Sequence, residues 1–267
     1  MNIIHSKKII FIGRKFTGSY IVGSSQCKRS IGFFLSSKPI ESLPSIHLVE
    51  VGPRDGLQNE RGIISFETKV QLIHKLIKSG IKRIEIGSFV SPKWVPQMKD
   101  TEDVVKLLKS TVTEDEFNKF SVLTPNMQGL EKAIELGVKE VAVFGSATEL
   151  FSQKNINCSI DESLERFKEV CKVAKAHDMR IRGYVSCVLG CPYEGVSVNE
   201  NKVSYVTGKL LDMGCYEVSL GDTIGTGNAG STDRLVTHIL RGFPKSKVAV
   251  HFHDTYGQVI SILWMYK

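Results

Sequence analysis

The sequence has few cysteines, and their spacing does not suit a structural metal site. The six lie at positions 27, 158, 171, 187, 191 and 215. Cys187 and Cys191 form a lone Cys-x3-Cys pair, whereas a structural zinc site needs a second pair of ligands. We therefore expect reduced, mostly buried thiols.

Acidic residues are absent from the first 40 positions, which contain seven Lys and Arg residues. The whole chain of 267 residues has 35 basic and 28 acidic side chains and a formal charge of +7. Without those seven residues, 28 of each sign remain. The basic excess therefore lies in the leader, and a nucleic-acid partner is not expected.

The acid-free leader, which is also rich in Ser and Gly, predicts an organellar transit peptide over residues 1–45. Charges interrupt its apolar runs, so none of them approaches the about 20 residues that a membrane span requires. Asn2 stands where N-myristoylation needs glycine, which argues against that lipid anchor. We expect a location in the mitochondrial matrix, with a disordered tail or a misassigned start codon as the alternative.

Seven short apolar runs, bounded by Gly, Pro or Asp, predict buried parallel strands. Segments with helical periodicity separate them; Asn126 is a predicted N-cap, and Ser159 with Glu162 forms a predicted capping box. One α/β domain over residues 46–267 follows, either a barrel or an open doubly wound sheet. The predicted strands are 46–51, 83–89, 120–123, 140–144, 180–185, 216–220 and 247–252.

Two features favour a TIM (β/α)8 barrel. The first predicted strand is followed by Gly-Pro-Arg-Asp-Gly at 52–56, and not by the Gly-x-Gly-x-x-Gly loop of a dinucleotide-binding fold. Polar residues also cluster at the carboxyl ends of several strands, where barrel active sites are built. Because seven of eight strands are predicted, we expect an incomplete barrel.

Two histidines at the end of the seventh strand suggest a metal site. His251 and His253 are two residues apart, so both imidazoles point to one side of a strand. The alternative is a pair of structural or surface histidines whose hydrogen bonds are satisfied within the protein. Carboxylates at corresponding places favour the metal site: Asp254 directly follows His253, and Asp55 follows the first strand together with Arg54. Two imidazoles with a carboxylate predict Mg, Mn or Zn, and hard oxygen groups on a substrate favour Mg or Mn.

Arg54 cannot lose its charge, so beside a metal ion it can stabilise an enolate or a thioester oxygen. A turn with a surface ion pair is the alternative for Arg54 and Asp55. Glu85 lies within an apolar strand and needs a buried partner, for which Arg54 is the candidate. It either orients that arginine or only balances its charge. Asp222 lies at the end of the predicted sixth strand. It either accepts a hydrogen bond from a residue of the site or caps the following helix.

Three further histidines lie in helical segments and are predicted to be structural or surface residues: His74, His177 and His238.

Five stretches carry a resemblance to a known family: EVGPRDGLQN (50–59), SFVSPKWVPQM (88–98), GCPYEG (190–195), SLGDTIG (219–225) and HFHDTYGQ (251–258). They resemble the 3-hydroxy-3-methylglutaryl-CoA lyases, and the likeness covers residues 46–258. The Arg-Asp-Gly and His-x-His pieces are shared with related Claisen-type acyl-CoA synthases, which are the alternative. The run at 88–98 is more specific to the lyases.

The resemblance implies a pyruvate-carboxyltransferase-like barrel that cleaves 3-hydroxy-3-methylglutaryl-CoA to acetyl-CoA and acetoacetate, in leucine degradation and ketone-body formation. It implies Asp55, His251 and His253 as the ligands of a divalent metal, Mg or Mn. The expected partner is a CoA thioester substrate; no nucleic acid and no membrane are expected, and a homodimer is compatible with the resemblance.

The same resemblance implies roles for the other site residues. Arg54 would stabilise the acetyl-CoA enolate while Glu85 holds it, and His251, or Asp55, is the candidate base. Arg54, Gln58 and Asp222 are the expected substrate-binding residues.

One departure from the family's pattern lies beyond Gln258. There the family continues through a helix, an eighth strand and a glycine-rich loop that carries the catalytic cysteine and an asparagine ligand, and none of the six cysteines occupies that position. We therefore expect the 267-residue chain by itself to show no lyase turnover and to be poorly soluble. A non-catalytic fragment that binds metal, CoA or full-length subunits is the alternative from another functional class.

Overall fold

A computed structural model of the chain describes residues 47–265. The predicted transit peptide at 1–45 and Cys27 lie outside those residues. Across the described range, helices that are both long and apolar enough to traverse a lipid bilayer are absent.

Six parallel strands form one sheet, and each strand pairs with the next one along the chain. A doubly wound sheet reverses its strand order at a switch point, whereas this order runs from β1 to β6 without reversal. The sheet curls into an incomplete (β/α) barrel, which confirms the predicted architecture. The strands are β1 (Ile84–Ser88), β2 (Phe120–Leu123), β3 (Glu140–Ser146), β4 (Arg180–Ser186), β5 (Glu217–Asp222) and β6 (Val248–Phe252).

Helices connect the strands and cover one face of the sheet. Because each crossover returns to start a parallel neighbour, the carboxyl ends of all six strands meet at one edge of the barrel. The helices are α1 (Phe66–Lys78), α2 (Thr101–Thr111), α3 (Glu114–Phe117), α4 (Met127–Glu135), α5 (Glu149–Ile156), α6 (Ile160–Ala176), α7 (Glu200–Asp212), α8 (Ala229–Gly242) and α9 (Val259–Met265). Short 3-10 helices span Pro96–Met98 and Lys245–Lys247.

The predicted first strand, 46–51, is corrected to a single bridge within its described residues, 47–51. Only Glu50 pairs with the sheet, opposite Ile84 on β1. The chain then leaves the sheet because the carbonyl of Val51 accepts hydrogen bonds from three successive N–H groups of the next turn, a five-residue π-helix at Gly52–Gly56. The described sheet therefore has six strands and one bridge in place of seven strands.

Both predicted helix starts are confirmed. The Asn126 side chain accepts a hydrogen bond from the N–H of Gly129 at 2.9 Å, at the start of α4. At the start of α6, the Glu162 N–H donates to the Ser159 hydroxyl at 3.2 Å, and the Ser159 N–H donates to the Glu162 carboxylate at 2.8 Å. These bonds satisfy helix N–H groups that would otherwise lack partners, so they fix where the crossovers after β2 and β3 enter their helices.

The core lies between the sheet and its helices, and most strand positions are buried, including every residue of β1. The five described cysteines are free and buried, as predicted: Cys158, Cys171, Cys187, Cys191 and Cys215.

Candidate active site

The three predicted metal ligands meet at the carboxyl edge of the barrel. Asp55 lies in the π-helical turn that follows the bridge at Glu50, His251 lies on β6, and His253 follows the end of that strand. The ligand atoms of these three side chains all lie within 4.8 Å of one another. The fold thus brings together a carboxylate and two imidazoles from opposite ends of the described chain.

The distances within this trio fit a divalent cation. The Nε2 atoms of His251 and His253 are 3.1 Å apart, and Asp55 Oδ2 lies 3.6 Å from the first and 3.4 Å from the second. Three ligands at right angles around an ion, each about 2.1 Å from it, would lie about 3 Å apart. Two imidazole nitrogens and a carboxylate oxygen that face one another at this spacing form a suitable ligand set for a metal ion.

The surroundings of the two imidazoles suit metal binding. Burial lowers the pKa of His251 to about 4, which keeps its ring neutral at pH 7. Burial by itself would also lower the pKa of His253, but the hydrogen bond and charge of Asp55 raise it above its ordinary value. Nδ1 of His253 is 2.9 Å from the carbonyl of Asp222 and 3.1 Å from that of Thr223. A proton on Nδ1 bonded to these carbonyls leaves the Nε2 lone pair facing the other ligands.

Arg54 is buried beside the trio, which excludes the alternative of a surface ion pair. Its Nε donates a hydrogen bond to Glu85, and its Nη1 lies 3.2 Å from Asp55 Oδ1. Burial opposes the charge, but the carboxylates of Glu85 and Asp55 hold the pKa of Arg54 above its usual range. The predicted Arg54–Glu85 contact is therefore confirmed, and a permanent positive charge stands next to the candidate metal ligands.

A buried polar chain extends from Glu85 into the barrel, and the sequence predictions missed it. The hydroxyl of Tyr184 donates to the second oxygen of Glu85 at 2.9 Å and accepts from Arg182 Nη1 at 3.0 Å. Arg182 Nε in turn donates to Glu217 at 2.8 Å. A sequence signal was available, because polar or hydroxyl-bearing side chains recur every second residue along β4, at Arg180, Arg182, Tyr184 and Ser186.

Gln58 and Asp222 each contact one member of the trio. Nε2 of Gln58 is 3.4 Å from Asp55 Oδ1, so Gln58 contacts one member of the trio, and its contact with substrate stays a prediction. Asp222 is fully buried, and its Oδ2 accepts from the N–H of Gly227 at 2.9 Å. A Cβ atom at Gly227 would be 2.8 Å from that oxygen, so only glycine fits there. Asp222 stands behind His253, and its contact with substrate stays a prediction.

The remaining predicted residues do not belong to the trio. Asp254 caps α9, because its Oδ1 accepts from the N–H of Val259 at 3.1 Å. His177 is exposed, and His74 and His238 are half-buried on α1 and α8, in agreement with the predicted structural or surface roles.

Comparison with known proteins finds similar sequences over most of the chain. The model of the HMGL-like family matches residues 45–262. The mitochondrial hydroxymethylglutaryl-CoA lyase of Bos taurus is 50% identical over 228 residues, which cover 85% of this chain and 69% of that protein. A 3-hydroxy-3-isohexenylglutaryl-CoA/hydroxy-methylglutaryl-CoA lyase of Pseudomonas aeruginosa is 52% identical over 221 residues, which cover 82% of this chain and 71% of that protein.

A solved structure extends the likeness to three dimensions. The crystal structure of hydroxymethylglutaryl-CoA lyase from Pseudomonas aeruginosa superimposes with a TM-score of 0.77 at 51% identity, covering 83% of this chain and 72% of that one. The resemblance carried by the five sequence stretches is therefore confirmed. This chain belongs to the HMGL-like family.

Proposed function

We propose that this chain is a carbon–carbon lyase that cleaves 3-hydroxy-3-methylglutaryl-CoA to acetyl-CoA and acetoacetate with the help of a divalent metal ion. The observation that carries the proposal is the trio of Asp55, His251 and His253 beside the buried guanidinium of Arg54. A retro-aldol-type cleavage needs two things at one place, a polarised hydroxyl group and a stabilised enolate. The trio and Arg54 offer these two functions side by side.

The ion would be held by Asp55 Oδ2 and by the Nε2 atoms of His251 and His253. When bound, a divalent ion supplies Lewis-acid polarisation of substrate oxygens. We propose Mg or Mn as that ion, because a substrate that offers hydroxyl and carbonyl oxygens completes a ligand set that these hard cations prefer.

The residues of this chain divide the reaction between them. Asp55 through Oδ1, or His251 through Nδ1, accepts the proton of the substrate's tertiary hydroxyl, because Oδ2 and Nε2 would hold the ion. The electron pair of the oxygen then forms the ketone of acetoacetate, the bond between C2 and C3 breaks, and its electrons pass to the acetyl-CoA enolate. Arg54 stabilises the negative charge on the thioester oxygen, and Glu85 holds the guanidinium in place. The base that took the hydroxyl proton then returns a proton to C2, which gives acetyl-CoA and restores the base.

The test measures both products. The 267-residue chain is incubated with 3-hydroxy-3-methylglutaryl-CoA, with chelator or with added Mg or Mn, and acetoacetate and acetyl-CoA are quantified. The lyase proposal predicts equal amounts of the two products, formed only with added metal and lost in Asp55→Ala. The departure from the family's pattern beyond Gln258 predicts instead that this chain by itself shows no turnover, so the assay decides between the two. His177→Ala, which changes an exposed histidine away from the trio, is the matched control. Absence of acetoacetate from the wild-type chain with either metal would overturn the proposal.

A further inference from the structure

Gln97 is a buried side chain that holds the segment 57–64. It lies in the first of the two 3-10 helices, and only 3% of its surface is exposed. Its Nε2 donates to the carbonyl of Leu57 at 3.1 Å and to that of Gly62 at 3.2 Å. Its Oε1 accepts from the N–H of Ile64 at 2.9 Å. One amide group thus bonds the start, the middle and the end of the segment.

The held segment has little regular structure of its own. Residues 59–63 are exposed, and they join the turn after the bridge to the start of α1. A turn hydrogen bond runs from the N–H of Glu60 to the carbonyl of Leu57 at 2.9 Å. Because an exposed loop opens easily where its backbone bonds are few, the three bonds from Gln97 determine how firmly this segment is held.

Gln97 is itself well anchored. The ammonium group of Lys69, a buried residue of α1, donates to the Gln97 carbonyl and to Asp100 Oδ1, the second at 2.6 Å. This ion pair joins α1 to the residue just before α2. The amide of Gln97 therefore projects from a fixed support.

The segment is in direct contact with the candidate active site. Gln58 follows Leu57 and places Nε2 at 3.4 Å from Asp55 Oδ1. Nδ2 of Asn59 donates to the backbone carbonyl of Asp55 at 3.1 Å. A shift of Leu57 is therefore transmitted to one candidate substrate neighbour and to one candidate metal ligand.

We propose that Gln97 is a positioning residue of the lyase: its amide holds segment 57–64 and thereby fixes Gln58 and Asp55 for the reaction. The effect on the reaction rests on the proposed function, whereas the contact between Gln97 and the segment rests on the hydrogen bonds described above. Gln97 acts through the segment without touching the reacting atoms, so its loss changes the geometry of the site while the ligand side chains remain present.

The experiment compares two Gln97 variants with one neighbouring control in the full chain. Gln97→Leu removes all three bonds. Gln97→Glu keeps the shape and the bond from Ile64, but places a second oxygen against two carbonyl oxygens. Thr101→Val removes a buried hydroxyl that bonds the same 3-10 helix through the carbonyl of Met98 and has no bond to the segment.

Three quantities are measured for each protein: deuterium exchange of peptides covering 57–64, Mn affinity, and kcat and KM with active sites counted. We expect both Gln97 variants to exchange roughly tenfold faster in this segment, because each has lost at least two hydrogen bonds there. Turnover per active site should fall roughly 100-fold, as is typical of a misplaced reactive group, and KM should rise. Thr101→Val should change neither the exchange of the segment nor KM.

The outcomes separate the two proposals. Slow, unchanged exchange in Gln97→Leu, or faster exchange with unchanged kcat and KM, overturns the positioning role. If the wild-type chain does not cleave the substrate while both variants loosen the segment and weaken Mn binding, the proposed function fails and the holding role of Gln97 stands. Should Gln97→Leu not fold, Gln97→Asn keeps a polar amide that is one methylene too short to reach all three groups. The same readouts then apply to it.

Discussion

At the scale of single residues, the candidate site combines a buried arginine with three partly exposed candidate metal ligands. Arg54 is surrounded by the carboxylates of Glu85 and Asp55. Because Arg54 is buried, the field of its charge acts strongly on a neighbouring group and little energy is spent on rearranging solvent.

Replacement of Arg54 separates metal binding from catalysis. Arg54→Gln should keep Mn affinity near the wild-type value and lower kcat by several orders of magnitude, because one group that stabilises an enolate contributes about 3–4 kcal/mol. Arg54→Lys should retain a small part of the activity, since it keeps the charge but not the planar fork. Thermal melting shows whether either variant also loses stability because Glu85 no longer has its arginine partner. Near-normal turnover in Arg54→Gln would remove this residue from the mechanism.

Replacement of one ligand should remove metal affinity. His253→Ala removes the Nε2 atom of His253, one of the three candidate ligand atoms. Mn should therefore bind at least tenfold more weakly in titration calorimetry, which is the loss typical of a perturbed ligand set. His74→Ala, on α1 and apart from the trio, is the control with the same chemical change. Equal Mn affinity in His253→Ala and the wild type would show that the ion binds elsewhere.

At the scale of secondary-structure elements, the site depends on side chains that join strands inside the barrel. The hydroxyl of Tyr184 on β4 bonds Glu85 on β1 and Arg182 on β4, and Arg182 bonds Glu217 on β5. This chain of bonds connects the arginine of the site to three strands. It gives the buried Glu85 a second partner besides Arg54.

Removal of the Tyr184 hydroxyl tests this connection. Tyr184→Phe leaves Glu85 and Arg182 each without one buried hydrogen bond, so the free energy of unfolding should fall by about 1–3 kcal/mol. Turnover should also fall, because the orientation of Arg54 depends on Glu85. Urea denaturation and steady-state kinetics measure the two effects. Tyr205→Phe, in which an exposed hydroxyl loses its bond to Asp161, should change neither one appreciably.

Helix caps contribute to stability apart from the chemistry. Ser159→Ala removes the hydroxyl of the capping box at the start of α6 and should lower the free energy of unfolding by about 1 kcal/mol. Mn affinity should not change, because α6 lies outside the site. Ser110→Ala, on the exposed surface near the end of α2, is the control and should be close to neutral. A loss of metal binding in Ser159→Ala would show that this cap also shapes the site.

At the scale of the whole molecule, we propose a mitochondrial location for this member of the family. The similar proteins include a mitochondrial one and a bacterial one. The leader at 1–45, with seven basic and no acidic residues in its first 40 positions, supports mitochondrial import.

A reporter fusion tests the leader directly. Residues 1–45 fused to a fluorescent protein should accumulate in mitochondria. The control carries glutamine in place of the seven Lys and Arg residues and should remain in the cytosol, because import signals of this kind depend on positive charge. A wild-type fusion that stays diffuse in the cytosol contradicts the proposal.

Much of the barrel was predictable from the sequence because it depends on near neighbours in the chain. The six strands of the sheet begin and end within two residues of the predicted runs, since buried β-branched segments end where Gly, Pro or Asp interrupts them. The caps at Asn126 and Ser159 depend on atoms within three residues. The period of two between His251 and His253 likewise determined that their rings share one side.

Tertiary structure decided the rest, because it joins atoms far apart in the sequence. Asp55 and His253 are 198 residues apart, and only the curl of the sheet brings them within 3.4 Å. The predicted first strand is only one bridge, because the carbonyl of Val51 accepts hydrogen bonds from the N–H groups of the following π-helical turn and not from a neighbouring strand. Gln97 gave no local sign of its partners, and Tyr184 gave none of Glu85, which is 99 residues away. A buried polar group is satisfied by whichever backbone or side chain the packing of distant elements places beside it.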